Sequence, residues 1–144
     1  CLLCVLTALS SYSGVIMNSI FFIGLMVFIL GLSIEIIADY QKTVFRRNIE
    51  NKDKFITTGL WSLSRHPNYF GEILLWTGVA VMSISSLQGL QYITLISPIF
   101  VYILLVYISG IRILEDQAKK KWGQLDSFKE YLKNTPRLFF KIFG

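Results

Sequence analysis

Two long stretches of the chain carry no Asp, Glu, Lys or Arg, one from Cys1 to Ile34 and one from Ile73 to Ile111. Every such residue falls between or after them, in the blocks Glu35–Glu72 and Arg112–Gly144. A helix crossing the hydrocarbon of a bilayer needs roughly 20 mostly apolar residues. The pattern therefore predicts an all-α fold, a polytopic membrane helical bundle with a polar loop and an amphipathic C-terminal tail. Spans are expected at about 15–37, 67–85 and 90–111, with a partial span over 1–10. Ser10 to Gly14 and Ser83 to Gly89 read as the turns between them. Gly24 and Gly31 suit close helix packing, and Pro98 marks a kink.

Counting crossings gives the topology. One span leads into the polar loop, and two further spans form a hairpin that returns to the same side. The loop and the tail are therefore expected on one membrane surface, where they can build one site. The block Glu35–Glu72 holds six basic and five acidic residues, the tail eight basic and four acidic, and the hairpin turn none. The excess of Lys and Arg places both blocks on the cytosolic side.

Composition agrees with the pattern. Of 144 residues, 53% are hydrophobic and 16% charged, with a mean hydropathy of +0.56; soluble domains carry about a quarter charged residues. The chain opens on Cys rather than Met and has no basic segment before its apolar start. It is read as a single membrane domain, the C-terminal part of a longer chain. Cys1 and Cys4 have no polar neighbours and make neither a disulfide framework nor a zinc site.

Three clusters carry candidate chemistry. Arg65-His66-Pro67-Asn68-Tyr69-Phe70-Gly71-Glu72 stands where the second span begins. Pro67 suits a first helical turn, and the helix N-terminus behind Arg65 and His66 suits phosphate or carboxylate. Asn68, Glu72 and Trp76 share a face, with Tyr69 and Ile73 beside it. Glu72 is either functional or an internal partner for Arg65 or Arg112. His66 reads more often as a structural donor than as a base, and with no second His no metal is expected. Glu35, Asp39, Lys42 and Arg46 share a helical face leaving the first span, either a membrane-surface extension, a set of internal ion pairs or a grip on a ligand with hydroxyls and phosphates. Arg112, Glu115 and Asp116 lie where the third span ends. Lys119 to Lys121 read as headgroup contacts, and Trp122 and Tyr131 as interfacial anchors. No dinucleotide-binding glycine motif, phosphate-binding lysine loop or nucleophile elbow is present, and no nucleic-acid partner is expected.

The run T-G-L-W-S-L-S-R-H-P-N-Y-F-G-E-I-L-L-W, with A-D-Y-Q-K before it and Y-L-K-N-T-P in the tail, resembles the steroid 5-alpha-reductase superfamily. It is closest to uncharacterised membrane members and similar to the C-terminal regions of sterol reductases. The resemblance runs from about Ser33 to Phe139. It implies a multi-span enzyme that reduces a carbon–carbon double bond in a lipid or steroid-like substrate with NADPH. Carried over by position, it assigns cofactor binding to Asp39, Lys42, Arg46, Arg65, His66, Asn68, Arg112, Glu115 and Tyr131. Tyr69 and Glu72 are the local catalytic candidates.

Membrane methyltransferases of isoprenylcysteine and phospholipids are close kin, with a similar R-H-P-x-Y segment and a tail that Glu115, Gly123, Tyr131 and Pro136 follow, departing by Phe128 where Tyr is usual and by extra residues after Gly123. They use S-adenosylmethionine, which has no phosphates and does not ask for the stripe Asp39, Lys42, Arg46; Asn68 and Glu72 also favour the reductase branch. A non-enzymatic membrane scaffold is the third reading, which explains the basic tail but not Glu72 beside Asn68.

Overall fold

A computed structural model describes residues 16–108 and 110–140. The partial span expected over 1–10, both cysteines and the turn at 10–14 lie outside the described residues. Among those residues there are helices and turns and no strand.

Helix α1 spans Ser19–Arg47. Asn18 caps it, its side chain accepting from the Phe21 N–H at 3.0 Å, and Arg46 and Arg47 in the last turn complement the helix dipole. At 1.5 Å per residue it is about 44 Å long, longer than a hydrocarbon core of about 30 Å. Its polar C-terminal half, from Glu35 onward, is therefore a rigid continuation of the span. No Gly or Pro interrupts it after Gly31, and it stops at the extended Asn48.

A 3-10 turn at Ile49–Asn51 and an irregular loop lead to the short helix α2, Leu60–Leu63. Gly59 enters α2 at φ +63°, with the Gln41 side chain packed where a Cβ would stand. That side chain accepts the Leu60 N–H at 3.0 Å.

Helix α3 covers Pro67–Ser83, with Pro67 in its first turn, where a missing N–H costs nothing. The third apolar stretch is not one α-helix. A 3-10 segment Gly89–Ile96 is followed by α4, Ser97–Ile103, and by a π-helical turn, Leu104–Ile108. Pro98 stands in the first turn of α4 rather than at a kink inside a helix; a residue without an N–H begins a helix more cheaply than it interrupts one. Helices α5, Ile111–Trp122, and α6, Asp126–Asn134, form the tail. Three stretches, Ser19–Arg47, Pro67–Ser86 and Gly89–Trp122, are long and apolar enough to cross a membrane.

Four glycines bring α1 and α3 together as antiparallel neighbours. A Cβ on Gly24 would stand 2.9 Å from the Gly78 carbonyl oxygen, and one on Gly31 2.7 Å from that of Gly71. The reverse contacts, Gly71 to the Gly31 oxygen and Gly78 to the Gly24 oxygen, are as close. With the glycines seven positions apart on each helix, the pairs recur every two turns and the backbones touch, as small residues allow within a bilayer. The outer face of α1 (Ile23, Met26, Leu30, Ile37) is left exposed, as expected for a surface solvated by lipid.

On the other side of α3, Tyr69, Ile73 and Trp76 pack on Val101 and Leu105. Tyr69, Phe70 and Ile73 also meet Val106, Ile111 and Leu138. The tail thereby closes onto the polar end of the bundle. Trp122 Nε1 donates to the Asp53 carbonyl at 2.6 Å, and Lys121 reaches the Lys52 carbonyl and the Asp53 carboxylate at 3.2 and 3.3 Å. Phe55 is the hub, its ring 5.0 to 5.8 Å from those of Phe128, Tyr131 and Trp122. Loop and tail, far apart in sequence, are in contact.

Candidate functional site

Where loop, tail and the ends of α1 and α3 meet, they enclose a cavity of about 290 Å³, near the lower end of ligand-pocket sizes. The C-terminal part of α1 supplies Lys42, Phe45 and Arg46, and the loop supplies Lys54 and Phe55. Trp61 lines it from α2 and Arg65, His66 and Asn68 from the start of α3. Glu115, Lys121 and Trp122 come from α5, Phe128 and Tyr131 from α6. Five basic side chains and a single carboxylate face one another across aromatic walls.

Trp61 is the pivot of one wall. It is 6% exposed, its indole N–H donates to the Ala38 carbonyl at 3.0 Å, and its own carbonyl accepts the Tyr131 hydroxyl at 2.7 Å. One residue thus ties α1 to α6. Lys42 Nζ lies 5.3 Å from the centre of the Trp61 ring, in cation–π range. Burial pushes the Tyr131 hydroxyl up to about 12, so it is a neutral donor at any physiological pH.

The opposite wall is ionic. Glu115 Oε1 is 2.8 Å from Arg65 Nη1 and 3.6 Å from His66 Nε2, and its Oε2 is 3.3 Å from Arg137 Nε. Arg65 and Glu115 are both largely buried. Burial depresses the His66 imidazole below its usual range, against the opposing pull of Glu115; desolvation disfavours the charged ring. The ring is therefore neutral near pH 7, stacked on Tyr69 with 5.8 Å between centroids.

Of the residues singled out in the sequence, Lys42, Arg46, Arg65, His66, Asn68, Glu115 and Tyr131 line this cavity. Asp39, Tyr69, Glu72 and Arg112 do not. Asp39 and Arg112 are exposed on the helix surfaces. Tyr69 touches the cavity only through the His66 ring, its other side being packed on Ile73 and Trp76 and their neighbours. Glu72 is half-buried further along α3, and the pairing considered for it belongs to Glu115, which takes Arg65. Lys121, Trp122 and Tyr131 turn inward to the loop rather than acting only as surface anchors.

Five contributors escaped the sequence reading: Phe45, Lys54, Phe55, Trp61 and Arg137. Trp61 lies within the quoted run, and the Lys54-Phe55 pair sets a cation beside an aromatic, so both were available as signals. Nothing in the order of residues marks Arg137.

Comparison with known proteins gives the context. Residues 1–135 match the family described as "Protein of unknown function (DUF1295)". A probable 7-dehydrocholesterol reductase of Acanthamoeba polyphaga mimivirus is 30% identical over 79% of the chain and 28% of its own length. Steroid 5-alpha-reductase DET2 of Arabidopsis thaliana is 42% identical over 44% of the chain and 24% of its own length. A probable O-methyltransferase, ustE, of Ustilaginoidea virens is 37% identical over 47% of the chain and 24% of its length. The chain thus spans about a quarter of the length of the curated relatives it matches. No solved structure matches it significantly. With three apolar helices able to cross a membrane and a match covering nearly all of its residues, the chain belongs to the DUF1295 family, which is steroid 5-alpha-reductase-like.

Proposed function

We propose that the chain is part of a membrane-embedded, NADPH-dependent reductase of carbon–carbon double bonds in a lipid or steroid-like substrate. The observation that carries this reading is the cavity at the polar end of the bundle, cationic and aromatic at once. Its donor set fits a phosphorylated dinucleotide. Lys42, Arg46 and Lys54 would hold phosphates, the aromatic walls would take a planar ring, and Asn68 would bond an amide. When bound, NADPH supplies the hydride for the reduction. The chain's own share is to hold and orient. Tyr131 and Trp61 fix the aromatic wall, and Glu115 occupies Arg65 so that the phosphate-binding charge is concentrated on the α1 side. Tyr69 and Glu72, on α3 beside the cavity, are proposed as the groups that hold a proton for the substrate. Asp39 and Arg112, outside the cavity, are proposed to reach the cofactor's edge. The basic loop and tail are proposed to face the cytosol.

A methyltransferase using S-adenosylmethionine is the second reading. It is favoured by the O-methyltransferase-named relative and by aromatic walls that would also suit a sulfonium cation.

Binding separates the two. NADPH and S-adenosylmethionine are titrated against the full chain in detergent, with tryptophan emission as the signal. Saturable NADPH binding, weakened roughly tenfold by Arg46→Ala or Asn68→Ala, is the expected result. Saturation by S-adenosylmethionine with indifference to NADPH would overturn the reductase reading, and binding of neither by the folded chain would leave the scaffold.

A further inference from the structure

After α6 the chain turns back along the start of α3. The Arg65 N–H donates to the Pro136 carbonyl at 2.9 Å. The Ser64 hydroxyl donates to the Leu138 carbonyl at 2.7 Å and accepts the His66 N–H at 3.2 Å. Thr135 and Leu138 are buried, and Phe140 lies 4.7 Å from Phe70, ring centre to ring centre. Residues 135–140 are thus a strap bonded through alternate carbonyls, at Pro136 and Leu138. Between those two anchors Arg137 reaches Glu115.

Arg137 does not line the cavity, but Glu115 does. The Glu115 carboxylate divides its oxygens, one to Arg65 and His66, the other to Arg137. Both guanidinium Nε atoms and Glu115 Oε1 are buried without an aligned hydrogen bond, so charge rather than directional bonding holds the arrangement. A carboxylate shared among several cations is drawn toward those that remain when one is lost. Without Arg137, Glu115 would follow Arg65, and the Arg65–His66 edge of the cavity would move with it.

We propose that Arg137 is a positioning residue for the cavity, acting through Glu115 to set how Arg65 and His66 are presented to a bound nucleotide. This rests on the nucleotide-site reading above only for its ligand, not for its geometry.

The test uses the full chain in detergent, with NADPH as the probe and the chemical shift of its one imidazole as a second readout. Arg137→Ala raises the NADPH Kd about tenfold and shifts the His66 signal, while the melting temperature changes little. Arg137→Lys restores most of both. Glu115→Gln combined with Arg137→Ala is no worse than Glu115→Gln alone, because the two act in series. Additive effects, or a lowered melting temperature with unchanged Kd and unchanged imidazole shift, would make Arg137 a plain tether and overturn the proposal. Should the wild-type chain not bind NADPH, the reductase reading falls, and the imidazole shift alone decides: moved by Arg137→Ala, it supports positioning, and unmoved, it refutes it. If Arg137→Ala does not fold, Glu115→Gln and Arg137→Lys carry the same comparison.

Discussion

The Tyr131 hydroxyl donates to the Trp61 carbonyl at 2.7 Å across 70 residues of sequence, one of the bonds that hold the loop against the tail. Tyr131→Phe keeps the ring against Phe55 and removes only the bond, leaving a half-buried carbonyl unpaired. A loss of about 1 kcal/mol is expected, read as a lower melting temperature in detergent. The hydroxyl also carries a pH dependence. Its folded value is raised from 10.0 to about 12 by burial, so the folded state holds the proton more tightly than the unfolded one. The stability it contributes is complete below pH 10 and declines as pH rises from 10 toward 12. Tyr131→Phe should flatten the melting-temperature profile across that window; an unchanged slope would place the ionisation elsewhere.

His66 is the chain's one histidine, so its imidazole gives a single, assignable NMR signal. Burial lowers its folded value below 6.5, and the folded state therefore prefers the neutral ring. The corresponding stability is present above pH 6.5 and is lost as pH falls through the folded value. Titration of ring-labelled protein should show a midpoint below 6.5. Glu115→Gln removes the carboxylate that favours the charged ring and should move the midpoint lower still. A midpoint above 6.5 in the wild type would mean that Glu115 outweighs burial.

Gly31 and Gly71 define how close α1 and α3 can come. Gly31→Val sets a branched side chain against the Leu75 backbone and the Gly71 carbonyl, where no flexible side-chain end can yield. Overpacking of this kind costs about 1–3 kcal/mol, and Gly78→Val, facing the Phe28 backbone, should cost as much. Gly89 is the contrast. Nothing lies within 4 Å of its Cβ position, yet its φ is +53°, so Gly89→Asn, which tolerates that region, should leave the melting temperature nearly unchanged. Equal losses at Gly31 and Gly89 would argue against backbone contact as the cause.

The charge-free tracts made the helical membrane fold legible because burying charge in hydrocarbon is costly over every residue of a span. Crossing parity then put loop and tail together before any contact was known. Contacts set by register were not legible. Gly24 and Gly31 announce a close approach, but that they meet Gly78 and Gly71 depends on the antiparallel offset of two helices. The ion pairs were hidden for a similar reason. Glu115 could have met any of several arginines, and the choice of Arg65 and Arg137 follows from the strap's backbone bonds to Ser64 and Arg65. The span rule ends where hydrophobicity ends, near Ile37, and it is the four-three-four spacing of Glu35, Asp39, Lys42 and Arg46 that marks the helix as running on, as it does to Arg47. A continuous α1 is what carries Lys42 and Arg46 to the cavity.

Lys54 offers the sharpest test of the cavity's charge, because it reaches the cavity from the loop and not from a helix. It lines the cavity from the loop, next to Phe55 in sequence. If it meets a phosphate, Lys54→Ala should weaken NADPH binding about tenfold, the scale of one charge-assisted hydrogen bond. The loss should be larger in low salt than in high salt, since screening weakens charge contacts in the wild type and has less to weaken in the variant. Lys129 is the control. It is exposed on α6, paired with Asp126 at 2.8 Å, and outside the cavity, so Lys129→Ala should change neither affinity nor salt dependence. Equal effects from the two substitutions would show that the basic tail attracts the nucleotide by net charge alone, with no phosphate subsite at Lys54.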